Sequence, residues 1–279
     1  MSGGKAARVP ARAAAAAART DAGAPAPAPT GAAAPLAAIA AEIVACERCP
    51  RLRAHCSAVA AEKRRAYRDW DYWGRPVPGF GDPAARLLVV GLAPAAHGGN
   101  RTGRVFTGDS SGDWLYAAMH EAGFANQPTS VSREDGLVLL GAYVTAAARC
   151  APPGNRPTTE ELNACRPFLV REMEALRGVR AVVALGGIAL DAVVRAFIAR
   201  GLAAPRPRPR FAHGALWDPG PGWPLVLCSY HPSRQNTNTG RLTKEMWREI
   251  FRRAAELVGR DEPARETRGP AAAEQARGS

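Results

Sequence analysis

The chain has 279 residues, of which 47% are hydrophobic, and this is enough for a substantial buried core. Its formal net charge of +12 at pH 7 favours nucleic acids and other polyanions as partners, although a basic surface can also serve solubility alone. No apolar run approaches the roughly 20 residues that span a bilayer. The composition therefore excludes an integral membrane protein, and we expect a soluble protein of the bacterial cytoplasm or nucleoid.

The two ends of the chain differ in composition from the rest. Residues 1–41 contain a run of six alanines and a Pro-Ala alternation, and residues 260–279 have few large apolar side chains. We predict both as disordered tails that flank one domain of residues 42–259. The tails carry net charges of +3 and zero, which leaves +9 on the domain. Helical spacing of apolar residues at 36–46 also predicts a short helix leading to the first cysteines.

From Arg86 onward, short apolar runs alternate with segments of helical pattern. Such continuous apolar runs are typical of strands that are buried on both faces. The predicted strands are 86–93, 137–145, 180–186 and 224–230, and the predicted helices are 109–122, 158–177, 187–200 and 242–258. This alternation predicts a three-layer α/β/α sandwich with a central four-stranded parallel sheet. Ligands of such folds bind at the carboxyl ends of the strands.

The loop after the first strand is the segment 91–112, GLAPAAHGGNRTGRVFTGDSSG. Its six glycines allow the backbone to approach a ligand closely. The nucleotide-binding patterns GxGxxG and GxxxxGK[ST] are both absent from it. Asp109 has two interpretations, either an ordinary helix N-cap or a carboxylate held beside a reacting centre.

The loop after the second strand is the segment 149–158, RCAPPGNRPT. Prolines 152, 153 and 157 restrict the backbone around Asn155. Asn155 could be present for turn geometry, or its amide could read an extruded base or orient a water molecule.

The loop after the fourth strand is the segment 229–243, SYHPSRQNTNTGRLT, and His231 lies where that strand ends. A lone histidine is more often structural than catalytic. This one opens a long polar loop, and it could donate to an anion or to a carbonyl oxygen that gains charge. The neighbouring Ser233, Arg234 and Asn236 could contact phosphates or base edges.

Six cysteines lie at positions 46, 49, 56, 150, 165 and 228. Cys46 and Cys49 form a CxxC pair, and Cys150 and Cys165 form a second, wider pair. Iron-sulfur binding, structural zinc, a redox-active CxxC and coincidence all remain open on spacing alone. We interpret Cys228, inside a predicted buried strand, as packing, and Cys56 as the rival for a ligand position.

These segments together resemble the family 5 (type b) uracil-DNA glycosylases. The matching segments are GLAPAAHGGNRTGRVFTGD (91–109), YVTAAARCAPPGNRPT (143–158), SYHPSRQNTNTGRLT (229–243) and CERC (46–49), together with Cys165. The resemblance covers roughly residues 42–256. It implies a hydrolase that excises uracil from DNA and that also accepts deaminated purines such as hypoxanthine.

The resemblance also implies roles for single residues. It assigns catalysis to Asp109, Asn155 and His231, and it assigns a [4Fe-4S] cluster to Cys46, Cys49, Cys150 and Cys165. The residues that it places against the substrate are Gly91, Ala93, Phe106, Ser233, Arg234 and Asn236, with Phe106 stacked on the extruded base. In the sister iron-sulfur family an Asn follows the Thr that ends the second strand. Here Ala146 follows Thr145, which fits a looser choice of base.

Hydrolysis of an N-glycosidic bond develops positive charge on the sugar and negative charge on the departing base. One carboxylate and one hydrogen-bond donor meet these needs, and we expect a monomer to suffice. A non-catalytic iron-sulfur protein that binds nucleic acid is an alternative from another class, since charge and cysteines would also allow it. A redox enzyme is a third, although no flavin or nicotinamide pattern is present.

Overall fold

The computed structural model describes residues 31–259, whose centre is a six-stranded sheet in the order β1-β3-β2-β4-β6-β5. The four inner strands are parallel, and the two edge strands pair antiparallel with their neighbours. The strands are β1 (Phe80–Gly81), β2 (Leu87–Gly91), β3 (Ala142–Ala146), β4 (Ala181–Leu185), β5 (Leu216–Trp217) and β6 (Leu225–Ser229).

Eight α-helices surround the sheet. They are α1 (Ala33–Val44), α2 (Pro50–Glu62), α3 (Gly99–Thr102), α4 (Ser110–Glu121), α5 (Thr159–Ala175), α6 (Gly187–Ala199), α7 (Arg234–Asn238) and α8 (Lys244–Gly259). Two 3-10 turns lie at Arg65–Tyr67 and Pro153–Asn155. Within residues 31–259, none of the helices combines the length and the apolarity that crossing a bilayer would require.

Alternate residues of the inner strands face two separate cores, as a strand period of two requires. Leu87 and Val89 of β2 pack with residues of α4 and α8 on one face of the sheet. Leu88 and Val90 pack with residues of α5 and α6 on the other face. The predicted three-layer sandwich and its four parallel strands are therefore confirmed.

The sheet differs from the predicted one at its edges and at the start of β3. Two-residue strands β1 and β5 extend it from four strands to six. The predicted strand at 137–145 joins the sheet only at Ala142. Before that point, Leu139 forms an isolated antiparallel bridge with Ala125, and Gly141, with φ of +61°, turns the chain into the sheet.

The folded part of the chain begins earlier than predicted, because helix α1 starts before residue 41. Its apolar side chains Leu36, Ile39 and Ile43 are buried, and the last two pack against Phe168 of α5. Residues 33–41 are thus helical and packed, which corrects their assignment to a disordered tail: three large apolar residues at helical spacing outweigh the alanine-rich composition. The rest of both predicted tails, 1–30 and 260–279, lies outside the described residues.

A buried ion pair holds the carboxyl end of β3 against α5. Arg149 Nη2 lies 2.7 Å from Glu172 Oε2, and both side chains are 1% exposed. Thr145 of β3 donates its hydroxyl to the same oxygen at 2.7 Å. Because each group is paired, the pair can remain charged inside the protein. The start of the 149–158 loop is thereby held in one position relative to the sheet.

Candidate active site

A cavity of about 570 Å³ lies near the carboxyl ends of β2 and β3. Loops that follow three of the parallel strands contribute to its lining. Asp109 comes from the loop after β2, Asn155 from the loop after β3, and Arg234 from the loop after β6. Three of the predicted site residues therefore share one cavity, at the strand ends where α/β folds bind their ligands.

Asp109 is the N-cap of α4 and a wall of the cavity at the same time. Its Oδ1 accepts hydrogen bonds from the backbone amides of Ser111 at 2.9 Å and Gly112 at 3.1 Å. Oδ2 lies against Gly98, where a Cβ would come within 1.8 Å of it. Burial raises the pKa of the carboxyl, while the two amides and the nearby Arg101 act in the opposite direction. The N-cap interpretation of Asp109 is confirmed, and its place on the cavity is what the second interpretation requires.

His231 follows β6 and is not part of the cavity lining, but its loop is bonded to the start of α4. The hydroxyl of Ser111 donates to the carbonyl of Pro232 at 3.1 Å, two residues from Asp109. The imidazole centroid is 5.7 Å from that of the Phe106 ring. Burial lowers the pKa of His231 to about 4. The ring is therefore neutral at pH 7, and it can offer an N–H donor without a positive charge.

Phe106 determines the need for glycine at position 91. Its backbone is left-handed, with φ of +50°, and its side chain is buried. The ring lies so close to the end of β2 that a Cβ at Gly91 would be 2.7 Å from it. Ala93, two residues later, is partly buried in the same loop. Position 91 therefore requires glycine, because any side chain there would displace the Phe106 ring.

Asn155 occupies a turn that also suits an asparagine for backbone reasons. Its φ is +58°, it follows Gly154 with φ of +60°, and its side chain is exposed. Asparagine tolerates this left-handed region better than most residues. The turn interpretation of Asn155 is confirmed by this geometry, and its position on the cavity keeps a role toward a ligand open.

The remaining predicted residues of the third loop have different structural tasks. Ser233 caps α7 by accepting the amide of Asn236 at 3.3 Å. The Asn236 side chain donates to the carbonyl of His231 at 2.8 Å. Arg234 is exposed and lines the cavity. Ser233 and Asn236 therefore shape the loop that carries His231, whereas Arg234 is free to meet a ligand.

Arg101 lies inside the first loop segment but is not among the predicted site residues. It also lines the cavity, and it is 3% exposed. Its guanidinium carbon lies 4.0 Å from the ring centroid of Tyr67 and 4.1 Å from that of Trp70. The only available signal was an arginine among glycines after a strand, together with an aromatic segment more than thirty residues earlier.

The predicted ligand cysteines occupy one region of the molecule. Cys150 and Cys165 are buried, and Cys46 and Cys49 are partly exposed. Burial, together with the neighbouring Cys165 and Cys46, raises the pKa of Cys49 to about 11. Across residues 31–259, however, no three His, Cys, Asp or Glu side chains are arranged to hold a metal ion. The four-cysteine site therefore stays a proposal.

The surroundings of Cys150 fit an anionic thiolate group. The guanidinium of Arg53 lies beside the thiols of Cys150 and Cys56, and its Nη1 is buried without a hydrogen-bond partner. Cys56 donates to the carbonyl of Ala151 at 3.6 Å and also lies beside Cys150, so it stays the rival for a ligand position. Arg53 also pairs with Glu47 at 3.4 Å, and its free Nη1 beside the thiols suits a cluster of net negative charge. Cys228, in β6, is 1% exposed and packs in the core as predicted.

Comparison with known proteins identifies the family. A family model of the uracil DNA glycosylase superfamily matches residues 78–255. A Type-5 uracil-DNA glycosylase of Thermus thermophilus is 54% identical over 217 residues, which cover 78% of this chain and 95% of that protein. One from Mycobacterium tuberculosis is 51% identical over 230 residues, which cover 82% and 84%. The chain therefore belongs to the uracil DNA glycosylase superfamily, and within it to the family of the type-5 enzymes.

Proposed function

We propose that the protein is a monofunctional DNA glycosylase that hydrolyses the N-glycosidic bond of uracil in DNA and so initiates base excision repair. The observation that carries this proposal is Oδ2 of Asp109, which makes no hydrogen bond with residues 31–259 and lies on a cavity that Asn155 and Arg234 also line. The relatives named uracil-DNA glycosylase, at 50–54% identity, support the same reaction.

The cavity suits a nucleotide that has left the base stack. Arg64, Arg101 and Arg234 line it together with only two carboxylates, Asp109 and Asp113. Such an excess of arginine attracts phosphates and supplies affinity for DNA. Extrusion of a base costs a few kcal/mol. In this proposal, phosphate contacts and stacking of the base on Phe106 offset that cost.

Asp109 acts on the sugar. As the bond between C1′ and the base nitrogen breaks, the electron pair leaves with the base and C1′ gains positive charge. The carboxylate stabilises that charge, and a water molecule then forms the new bond to C1′ and loses a proton, which the departed base anion takes up. Oδ1 is held by two backbone amides, so the side chain has little freedom, and Oδ2 keeps its lone pairs for the reaction.

His231 acts on the departing base. A neutral imidazole donates its N–H to a base oxygen as that oxygen gains negative charge. Because the pKa of His231 is about 4, the protein does not need to hold a buried imidazolium before substrate arrives. Asn155, on the facing loop, is placed in this proposal to orient the water molecule or the base edge.

The direct test is single-turnover excision from a duplex that contains one uracil, followed by cleavage at the abasic product. We expect Asp109→Asn and His231→Ala each to lose about 100-fold or more in rate. Asp71→Asn and His120→Ala change the same residue types at exposed positions, and both should remain at the wild-type rate. Full activity in both site variants would refute the assignment.

We further propose that Cys46, Cys49, Cys150 and Cys165 hold a [4Fe-4S] cluster. When bound, it would tie the segment before α2 to the start of the 149–158 loop and to α5. Metal analysis of the purified protein tests this, and we expect about four iron atoms per chain. Cys165→Ser should lose iron, whereas Cys228→Ser should retain it. Zinc in place of iron would refute the cluster.

The choice of base and the assembly state complete the proposal. We propose that hypoxanthine and other deaminated bases are excised as well, that the protein acts on the chromosome, and that it does so as a monomer. Excision rates on matched duplexes with uracil or hypoxanthine test the first point. Light scattering after size-exclusion chromatography tests the last, and a dimer mass would refute it.

A further inference from the structure

Arg101 of α3 is a buried cation that makes no close ion pair with the described residues. It is 3% exposed, and no carboxylate of residues 31–259 comes within 4.0 Å of its nitrogens. By contrast, the nearby buried Arg104 pairs with Asp135 at 2.8 Å, and Arg149 pairs with Glu172 at 2.7 Å. Buried charges are normally paired. A negative partner for Arg101 is therefore expected from outside the described residues.

The guanidinium of Arg101 is held in one orientation by contacts on its faces and its edges. Tyr67 and Trp70 lie against it, with ring centroids 4.0 and 4.1 Å from the guanidinium carbon. Nε donates to the carbonyl of His97 at 2.8 Å, and Nη2 donates to the carbonyl of Gly108 at 2.7 Å. A Cβ at Gly108 would come within 2.3 Å of Nη2. The group is thus positioned before any ligand arrives.

One nitrogen of this positioned group has no partner. Nη1 of Arg101 is buried and makes no hydrogen bond with the described residues. Leaving a donor of a charged group unpaired in the interior is unfavourable. Arg101 lines the same cavity as Asp109, and Gly108, which accepts from Nη2, is the residue next to Asp109. A ligand that reaches Asp109 therefore enters the cavity that Arg101 lines.

We infer that Arg101 Nη1 binds a non-bridging oxygen of a DNA phosphate adjacent to the damaged nucleotide. The inference rests on the proposed function, since it deepens the contacts of the same cavity. Arginine prefers phosphate oxygens, and a phosphate oxygen would give Nη1 the charged hydrogen-bond partner that it does not have among the described residues. That phosphate is joined to the deoxyribose on which Asp109 acts. Binding it would fix the distance between the sugar and the carboxylate.

Neutral phosphates in the substrate test the contact. One series of uracil duplexes carries a single methylphosphonate at each phosphate flanking the uracil, and single-turnover excision is measured for wild type and for Arg101→Met. In wild type, one position should slow excision by about 10- to 100-fold, the range of a charge-assisted hydrogen bond. Arg101→Met should lose a similar factor on the ordinary duplex. On the duplex whose methylphosphonate slows the wild type, the excision rate of Arg101→Met should fall little further, because both changes remove the same contact.

Arg65→Met is the matched control, since Arg65 is exposed on the same 3-10 turn as Tyr67 and does not line the cavity. It should keep the wild-type dependence on methylphosphonate position. Arg101→Lys, which keeps the charge but cannot make all three contacts, replaces Arg101→Met if that variant does not melt cooperatively. The inference is overturned if no methylphosphonate slows the wild type. It is also overturned if the rate losses caused by the methylphosphonate and by the Arg101 substitution multiply. A third contrary result is that Arg234→Met, and not the Arg101 variant, removes the dependence of the rate on methylphosphonate position. Absence of uracil excision by wild type would instead refute the proposed function.

Discussion

Gly98→Ala should move the Asp109 carboxylate without changing any group that carries charge. A Cβ at position 98 would lie 1.8 Å from Oδ2, whereas ordinary contact begins at 3.4 Å, so Oδ2 must shift by about 1.6 Å along that line. The φ of Gly98 is −102°, so the loss expected for Gly98→Ala does not come from a left-handed backbone at this position. A misplacement of about 1 Å can cost about 100-fold in rate, and we expect a single-turnover loss of at least that size. Loss of the α4 cap should also lower the free energy of unfolding by about 1 kcal/mol in a urea titration.

Gly187→Ala provides the matched control, because a Cβ there would meet only Phe211 at an ordinary 3.8 Å. That variant should excise uracil at the wild-type rate. In the double variant Gly98→Ala with Asp109→Ala, the rate should equal that of Asp109→Ala alone, since the displaced group is already absent. A fully active Gly98→Ala protein would show that the position of Oδ2 does not matter. A further loss in the double variant would show that Gly98 acts through something other than Asp109.

Three other predictions concern the buried titratable groups Asp109 and His231 and the buried ion pair of Arg149. The rate of excision should fall as pH decreases through the raised pKa of Asp109, with a midpoint above the ordinary 3.8, and Asp109→Asn should lack this limb in single-turnover profiles. The pKa of His231 is about 4 when folded against an ordinary 6.5, so the unfolded chain binds more protons between these values. The free energy of unfolding should therefore decrease as pH falls from 6.5 to 4, by up to about 3 kcal/mol, and His231→Asn should lose that component in urea titrations at each pH. Arg149→Met leaves Glu172 charged and unpaired, and it should cost about 3–5 kcal/mol in urea denaturation, whereas the double variant with Glu172→Gln should recover part of that loss.

The inner sheet and the helices that cover it could be predicted because each has a local signal. The strand residues form uninterrupted apolar runs, and side-chain caps at Asp109 and Thr158 begin α4 and α5 close to the predicted starts. The two edge strands have two residues each, which is too short for any period to appear. Helix α1 had the right spacing at Leu36, Ile39 and Ile43, but its alanine-rich surroundings placed the predicted domain boundary nine residues too late.

The site could be predicted only where its residues follow strands. Asp109, Asn155 and His231 each lie in a loop after a parallel strand, so topology alone brings their loops to one edge. Nothing local distinguishes Arg101, without a carboxylate partner, from Arg104, which is paired with Asp135. The environment of Arg101 depends on Tyr67 and Trp70, which reach it only through the tertiary structure.

The two edge strands are short, and their length limits strand pairing between copies of this protein. A long flat margin exposes a row of amide and carbonyl groups on which a strand of another molecule can add. Here the outermost strands β1 and β5 each pair through only two residues, and both run against the direction of the inner strands. Each edge strand therefore offers only a short row of amide and carbonyl groups on which a strand of another molecule could add.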